Sequence, residues 1–174
     1  MQDVAARFRE YTQLERRRDA EGLTPEELER WMRLKRFLSR RFSPNLSDER
    51  ADQRRSVRIP TRLTVTFRDE EQLRSSLMMN LSRGGLFIAT ERPPEIGSTL
   101  ELRIDVAETG ERIEVPAEVV SLDLGPDCAR SRRGMGLCFR PTSEAMRRKL
   151  DALYERQLKE AAIRWADGST EDTE

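Results

Sequence analysis

The sequence predicts a mainly β fold with helical extensions: a six-stranded antiparallel β-barrel, preceded by an N-terminal α-helical hairpin and followed by a C-terminal α-helix. The first observation is that apolar residues recur at helical spacing up to about residue 42, alternate from about residue 58, and return to helical spacing after Pro141. The second is that turn-forming residues divide the alternating region into short, regularly spaced runs. Short strands without helices between them are typical of a closed or nearly closed barrel.

Residues 1–42 are predicted to form two antiparallel helices, each with a narrow apolar stripe. The segment TPEE at residues 24–27 marks the start of the second helix, because it supplies an N-cap, an early proline and a capping-box glutamate. The predicted stripes consist of Val4, Phe8, Tyr11 and Leu14, then Leu28, Trp31, Leu34, Leu38 and Phe42. Because helices this polar are not expected to fold alone, they should pack on the next domain or on a second copy of the chain.

The segment 43–53 is polar and is predicted to be a linker. The barrel domain is predicted over residues 54–141, with six alternating runs that begin near Leu63, Leu77, Leu86, Leu100, Ile113 and Met135. A helix over residues 142–166 follows, and its predicted apolar face consists of Met146, Leu150, Leu153, Tyr154 and Ile163. The acidic tail, 167–174, is predicted to be disordered.

The composition limits the chemistry that the chain can perform. It has no histidine and two cysteines, so it offers no Ser-His-Asp or Cys-His pair and no histidine-ligated or four-cysteine metal site. We therefore expect no metal and no cofactor. No G-x-x-x-x-G-K-[ST] loop occurs, and the carboxylates follow solvent-facing strand positions, so we do not expect an enzyme. Cys128 lies beside arginines but has no base or resolving partner, and we interpret it as incidental.

The composition also predicts where the chain acts and what it does not bind. No apolar run approaches the roughly 18 residues of a membrane span, and the N-terminus does not resemble a signal peptide. We expect no membrane insertion and a reducing, cytoplasmic location. Lys+Arg and Asp+Glu are balanced at 32 each, and aromatic residues make up 6% of the chain. This balance disfavours a nucleic-acid-binding barrel, which needs exposed aromatic side chains and an excess of positive charge.

Two short segments carry polar chemistry that a barrel core does not require. Arg54, Arg55 and Arg58 lie at the junction between the predicted linker and the first strand, where they would form a flexible cationic clamp. A guanidinium can donate in parallel to phosphate oxygens or to guanine O6 and N7. The turn NLSRGG at residues 80–85 offers short polar side chains, with glycines that allow positive φ and close backbone approach. Taken separately, the two segments also fit a solvated charge run and a plain hairpin turn.

Taken together, R-x-x-x-R at Arg54 and Arg58 and N-x-S-x-x-G at Asn80, Ser82 and Gly85 closely resemble the paired signature of the PilZ domain family. The flanking sequences are similar as well: IP follows the arginines, LFI follows the glycines, and RGMGLCF resembles the closing strand of that family. The resemblance covers about residues 53–141. Asparagine stands where aspartate is common in the family, which tolerates either residue.

This resemblance implies a non-enzymatic barrel that binds the bacterial second messenger cyclic di-GMP. By position, Arg54 and Arg58 would hold guanine edges and phosphates. The opposing turn would be formed by Asn80, Ser82 and Gly85. Additional contacts without strict motif status are expected from Arg55, Arg83 and Gly84.

The arginines begin on the predicted linker, so we expect the ligand to order that linker and to fix the orientation of the hairpin. A protein partner would then read this orientation through the hairpin or the C-terminal helix. The hairpin also resembles arginine-rich extensions of PilZ proteins from motile, GC-rich bacteria, which implies regulation of motility or surface behaviour. The alternative is a PilZ-like protein-interaction module that does not bind nucleotide. Homodimer formation and the binding of one or two nucleotides stay open at this point.

Overall fold

The computed structural model describes residues 4–43, 47–61, 63–69, 72–107, 109–123 and 133–166. This part of the chain divides into two compact units. The helical unit comprises the described residues up to Ile59 and from Glu155 onward, and the barrel unit comprises Pro60–Tyr154. The predictions made for Cys128 and for the tail at 167–174 lie outside the described residues.

The helical unit is built from α1, α2, α3 and the end of α4, which are Val4–Ala20, Pro25–Phe42, Asp48–Gln53 and Glu144–Ala166. The predicted capping box opens α2, because the Thr24 hydroxyl accepts from the Glu27 N–H at 3.3 Å and the Glu27 carboxylate accepts from the Thr24 N–H at 3.0 Å. The core of this unit includes Phe8, Tyr11, Trp31, Leu34, Leu38, Ala51, Val57, Leu158 and Ala161. The segment predicted as a linker thus contains the short helix α3.

Two residues predicted to lie on buried helical faces are exposed. Leu28 is 42% exposed and Ile163 is 49% exposed, so both assignments were wrong. At the ideal 100° per residue, Leu28 lies about 80° around α2 from Leu38, and Ile163 lies about 140° around α4 from Leu150. Apolar residues that are spaced three or four apart from turn to turn can therefore lie outside the buried face when they are several turns apart.

The strands form a seven-stranded sheet with the order β1-β3-β2-β5-β6-β7-β4, in which β2 to β7 lie in the barrel unit and β1 contains the boundary between the units. The strands are β1 Ile59–Pro60, β2 Thr64–Asp69, β3 Gln72–Ser82, β4 Gly85–Ala89, β5 Thr99–Val106, β6 Glu111–Asp123 and β7 Gly134–Phe139. β3 also pairs with β4, so the six strands β2 to β7 form a closed ring of antiparallel pairings. The mainly β fold with helices at both ends is confirmed. The seventh strand, β1, has two residues and is too short to show alternation.

The interior of the barrel is filled by the alternating residues of the ring strands. Fully buried side chains among them include Val65, Phe67, Met78, Leu81, Ile88, Leu102, Ile104, Ile113, Val115, Val119, Met135 and Leu137. Period-two burial is clearest on β5, where Leu100, Leu102, Ile104 and Val106 all point inward. Within the described residues, no helix has both the length and the apolar character needed to span a bilayer.

Candidate functional site

The polar turn predicted from the sequence connects β3 to β4. Asn80 and Ser82 lie at the end of β3, and Gly85 begins β4. The register pairs Asn80 with Phe87 and Ser82 with Gly85. The Ser82 hydroxyl donates to the carbonyl oxygen of Gly85 at 3.0 Å, so the turn is closed by one of its own motif residues.

Position 85 requires glycine because the backbone of β7 approaches it closely. A Cβ atom at Gly85 would lie 2.0 Å from the carbonyl oxygen of Leu137, which no side chain can satisfy without a backbone shift. At Gly84, by contrast, a Cβ atom would meet nothing within 4 Å. Neither glycine is among the positive-φ glycines of the described chain, so of the two reasons expected for glycine here, close backbone approach applies at Gly85 and positive φ does not.

Asn80 lies next to an irregularity in the β3–β4 pairing. The register shifts between Met78 and Asn80, so the regular ladder is interrupted there. A bulge of this kind re-aims the side chains beside it. The Asn80 side chain is half-buried and makes no hydrogen bond to another described residue, which leaves its amide able to donate to and accept from a ligand.

Arg83, in the same turn, packs on the beginning of α4. Its Nη1 atom lies 3.6 Å from Oδ1 of Asp151, and its guanidinium carbon lies 5.7 Å from the centre of the Tyr154 ring. The side chain is 17% exposed. Within the barrel unit, Arg83 therefore links the β3–β4 turn to α4.

Arg54, Arg55 and Arg58 follow α3 in the helical unit. Arg54 is half-buried, whereas Arg55 and Arg58 are exposed at the surface. Although Arg58 is exposed as a residue, partial burial of its guanidinium lowers its pKa from the ordinary value. An arginine stays charged at neutral pH in spite of such a shift. Arg58 forms no hydrogen bond or ion pair with any other residue that the structure describes, so its charge is not compensated there.

The backbone between Asp52 and Val57 is held by side chains of the two N-terminal helices. Lys35 Nζ donates to the carbonyl oxygens of Asp52 and Arg54 at 3.0 and 2.7 Å. Arg18 Nη1 donates to the carbonyl oxygen of Arg55 at 3.2 Å. The Val57 N–H donates to the Tyr11 hydroxyl at 3.3 Å. The arginine segment is thus fixed within the helical unit, where the sequence predicted a flexible clamp.

Lys35 is the residue of this arrangement that the sequence analysis missed. It is 2% exposed, and its Nζ atom lies 4.6 Å from the centre of the Trp31 ring. Burial lowers the pKa of the Lys35 ammonium from its ordinary value. A signal was present in the sequence, because Lys35 comes four residues after Trp31 and three before Leu38, on the buried stripe of α2.

The predicted site residues thus form two groups. Asn80, Ser82, Gly84 and Gly85 lie together on one hairpin of the barrel unit, with Arg83 directed to α4. The three motif-region arginines lie together on one short segment of the helical unit. The distances and contacts given above for each group lie within one unit.

A groove of 1040 Å³ on the barrel unit contains none of these residues. Its lining includes Arg68 of β2, an exposed arginine that, like Arg58, has no ion pair with a described residue. Arg68 therefore offers a matched comparison for substitutions of the motif arginines.

Comparison with known proteins identifies the class of this domain. The model of the PilZ domain family matches residues 52–156, which include both groups of predicted site residues, and the chain belongs to this family. A search of the curated proteins finds no match.

Solved structures of YcgR share the fold at low sequence identity. The PilZ domain of YcgR from Escherichia coli with cyclic di-GMP is 15% identical, with a TM-score of 0.53, over 68% of this chain and 99% of that one. YcgR in complex with cyclic di-GMP, also from Escherichia coli, is 17% identical, with a TM-score of 0.53, over 67% of this chain and 50% of that one. The inhibitor of motility MotI/DgrA from Bacillus subtilis is 24% identical, with a TM-score of 0.49, over 68% of this chain and 53% of that one. The match thus extends over about half the length of the YcgR complex chain and of MotI/DgrA.

Proposed function

We propose that the chain is a non-enzymatic receptor for cyclic di-GMP, which it holds through Arg54, Arg58, Asn80, Ser82 and Gly85. The observation that carries the proposal is Arg58, a surface arginine at an R-x-x-x-R position of a PilZ domain whose partly buried guanidinium has no described counter-charge. A phosphate group would supply the missing negative charge through bidentate hydrogen bonds.

The other residues supply complementary chemistry. Cyclic di-GMP has two phosphates and two guanines, whose O6 and N7 atoms accept from guanidinium groups. The Asn80 amide has donors and an acceptor that no described residue uses. Arg55 and Gly84 are exposed and would add contacts. A contact from Arg83 would have to compete with its ion pair to Asp151.

Calorimetric titration of cyclic di-GMP tests the proposal directly. The wild type should bind, while Arg54→Ala and Arg58→Ala should each weaken binding by at least tenfold, because each removes a charge-assisted bidentate donor. Arg68→Ala is the matched control, since it removes an exposed arginine of the same kind outside the motif, and it should bind as the wild type does.

A wild type that does not bind would contradict the receptor proposal and favour a PilZ-like protein-interaction module. Equal losses in Arg58→Ala and Arg68→Ala would instead indicate general electrostatic attraction of an anion. Repeating the titration at higher salt separates the two, because screening weakens unspecific attraction more than contacts in a shielded site.

The output of the receptor is also part of the proposal. The ligand would fix the orientation of the helical unit, and a protein partner in the cytoplasm would read that orientation through the hairpin or α4, in the control of motility or surface behaviour. Small-angle scattering and hydrogen exchange over residues 43–58 should both change on saturation with ligand. If neither changes, this output mechanism is wrong, and a pull-down with and without ligand would then show whether any partner depends on the nucleotide.

A further inference from the structure

We propose that Lys35 and Tyr11, on the N-terminal helices, are positioning residues for the arginine motif, so that the hairpin is part of the ligand-binding apparatus. The inference rests on the proposed function, because Arg54 and Arg58 are the residues being positioned. The hairpin was predicted to pack on the next domain or on a second copy of the chain and to be read by a protein partner, and a positioning role is different from both.

The contacts of Lys35 suit positioning better than general stability. The burial of a lysine is costly, and Lys35 offsets that cost by donating to two carbonyl oxygens, those of Asp52 and Arg54, and by lying over the Trp31 ring. Both carbonyls belong to the chain that enters and begins the arginine motif. A methionine or leucine would fill the same space in a purely structural core without fixing these carbonyls.

Tyr11 fixes the far end of the same segment. Its ring is fully buried beside Trp31, with 6.2 Å between ring centres, and its hydroxyl accepts from the Val57 N–H. The same hydroxyl donates to the carboxylate of Glu15 at 2.6 Å, which sets its direction. Val57 directly precedes Arg58, so Lys35 and Tyr11 hold the backbone on both sides of the interval between the two motif arginines.

A segment that is ordered before the ligand arrives does not have to be ordered by it. Immobilising a flexible side chain or loop on binding costs conformational entropy, and preorganisation removes part of that cost. The loss of Lys35 or Tyr11 contacts should therefore lower affinity mainly through a less favourable binding entropy, while Arg54 and Arg58 still supply their hydrogen bonds.

The experiment uses the full chain with Lys35→Met, which removes the ammonium but keeps an unbranched apolar chain, and Tyr11→Phe, which removes the hydroxyl alone. Arg33→Met is the matched control on α2, because Arg33 is exposed and its ion pair is a 3.6 Å contact with Glu29. Cyclic di-GMP binding is followed by calorimetry, amide exchange of residues 54–58 is measured without ligand, and urea unfolding reports stability.

Lys35→Met and Tyr11→Phe should each weaken binding about tenfold with a less favourable entropy, and should speed exchange over residues 54–58 in the ligand-free protein. Arg33→Met should change neither quantity. Wild-type affinity in both variants would overturn the inference. An affinity loss with unchanged exchange over residues 54–58 would overturn it as well, because binding would then be weakened without any loosening of the arginine segment. If the wild type itself does not bind, the proposed function fails, and the exchange comparison then decides by itself whether the hairpin positions this segment.

Discussion

Gly85 shows how a motif residue serves the fold before it meets any ligand. Its α-carbon lies so close to β7 that a methyl group would collide with the Leu137 carbonyl oxygen. The hydroxyl of Ser82 bonds to the carbonyl of the same glycine, so both residues set the shape of the β3–β4 turn. Residue identity at this point is therefore fixed by barrel closure as well as by the proposed ligand.

Gly85→Ala should destabilise the protein by about 1–3 kcal/mol, the usual cost of forcing extra atoms into a packed position. Gly84→Ala is the control, since an added Cβ there meets nothing within 4 Å, and it should change the free energy of unfolding by less than about 0.5 kcal/mol. Urea unfolding measures both. Similar values for the two variants would contradict the close approach of β7 to the turn.

At the scale of elements, the spacing of apolar residues predicted the strands and helices well, because this spacing can be read from a short stretch of sequence. The capping box placed the start of α2 correctly for the same reason. The helix α3 was not predicted, because a six-residue polar helix has no apolar periodicity of its own. It is held instead by ion pairs with α2, in which Arg36 contacts Asp52 and Arg40 contacts Asp48.

The candidate site was predictable only in part. The motif positions follow from the sequence, and the structure places Asn80, Ser82 and Gly85 on one hairpin. The contacts of Lys35 with two main-chain carbonyls were not predictable, since they join residues 17 and 19 positions apart through tertiary packing.

The N-cap of α2 can be tested by itself. Thr24→Ala removes the hydroxyl that accepts from the Glu27 N–H, and it should lower the free energy of unfolding of the helical unit by about 1 kcal/mol. Thr24→Ser keeps the hydroxyl and should retain most of that stability. Urea unfolding followed by tryptophan fluorescence measures both variants, and equal losses would show that the Thr24 hydroxyl contributes little.

The attachment of α3 to α2 should depend on pH. The Arg36 guanidinium donates to both oxygens of Asp52 at 2.8 and 2.6 Å and lowers the pKa of that carboxyl below 3.8. The stability contributed by the pair is therefore complete above the unfolded-state pKa and is lost as the pH falls through the lowered folded-state pKa. Because the pair is solvent-exposed and therefore screened, we expect the pH-dependent change in unfolding free energy to be small.

Asp52→Asn removes the dependence of stability on the protonation of this carboxyl. Between about pH 6 and pH 2.5, the variant should lose less unfolding free energy than the wild type, because an amide does not titrate. Urea unfolding at the two pH values gives the comparison. Identical losses in the two proteins would show that the Arg36–Asp52 pair does not contribute to folding.

At the scale of the whole molecule, the chain passes from the helical unit to the barrel unit after Ile59 and returns after Tyr154. Arg58 belongs to the helical unit, two residues before Pro60, the first residue of the barrel unit. Asn80, Ser82 and Gly85 belong to the barrel unit. In the proposed site, the contacts to the ligand would come from residues of both units. Net charge does not drive such binding, since positive and negative side chains balance over the chain.

Cyclic di-GMP should therefore stabilise both units together. At a ligand concentration of about 100 times Kd, linkage predicts roughly 2.7 kcal/mol of added stability for whatever unfolds with the site. Hydrogen exchange should slow both in the core of the hairpin, around Leu38, and in the core of the barrel, around Ile104. Slowing that is confined to the barrel would contradict a site that includes Arg54 and Arg58.

The closed ring of strands has a consequence for association with other proteins. An open sheet ends in strands whose main-chain N–H and C=O groups can recruit a strand from another chain, which leads to β-augmentation or to aggregation. In the described part of the barrel, each of the strands β2 to β7 already has a neighbour on both sides. The ring thus limits the main chain with which a partner strand could pair, so recognition of a partner would rest largely on side chains and can evolve through surface substitutions while the barrel backbone stays unchanged.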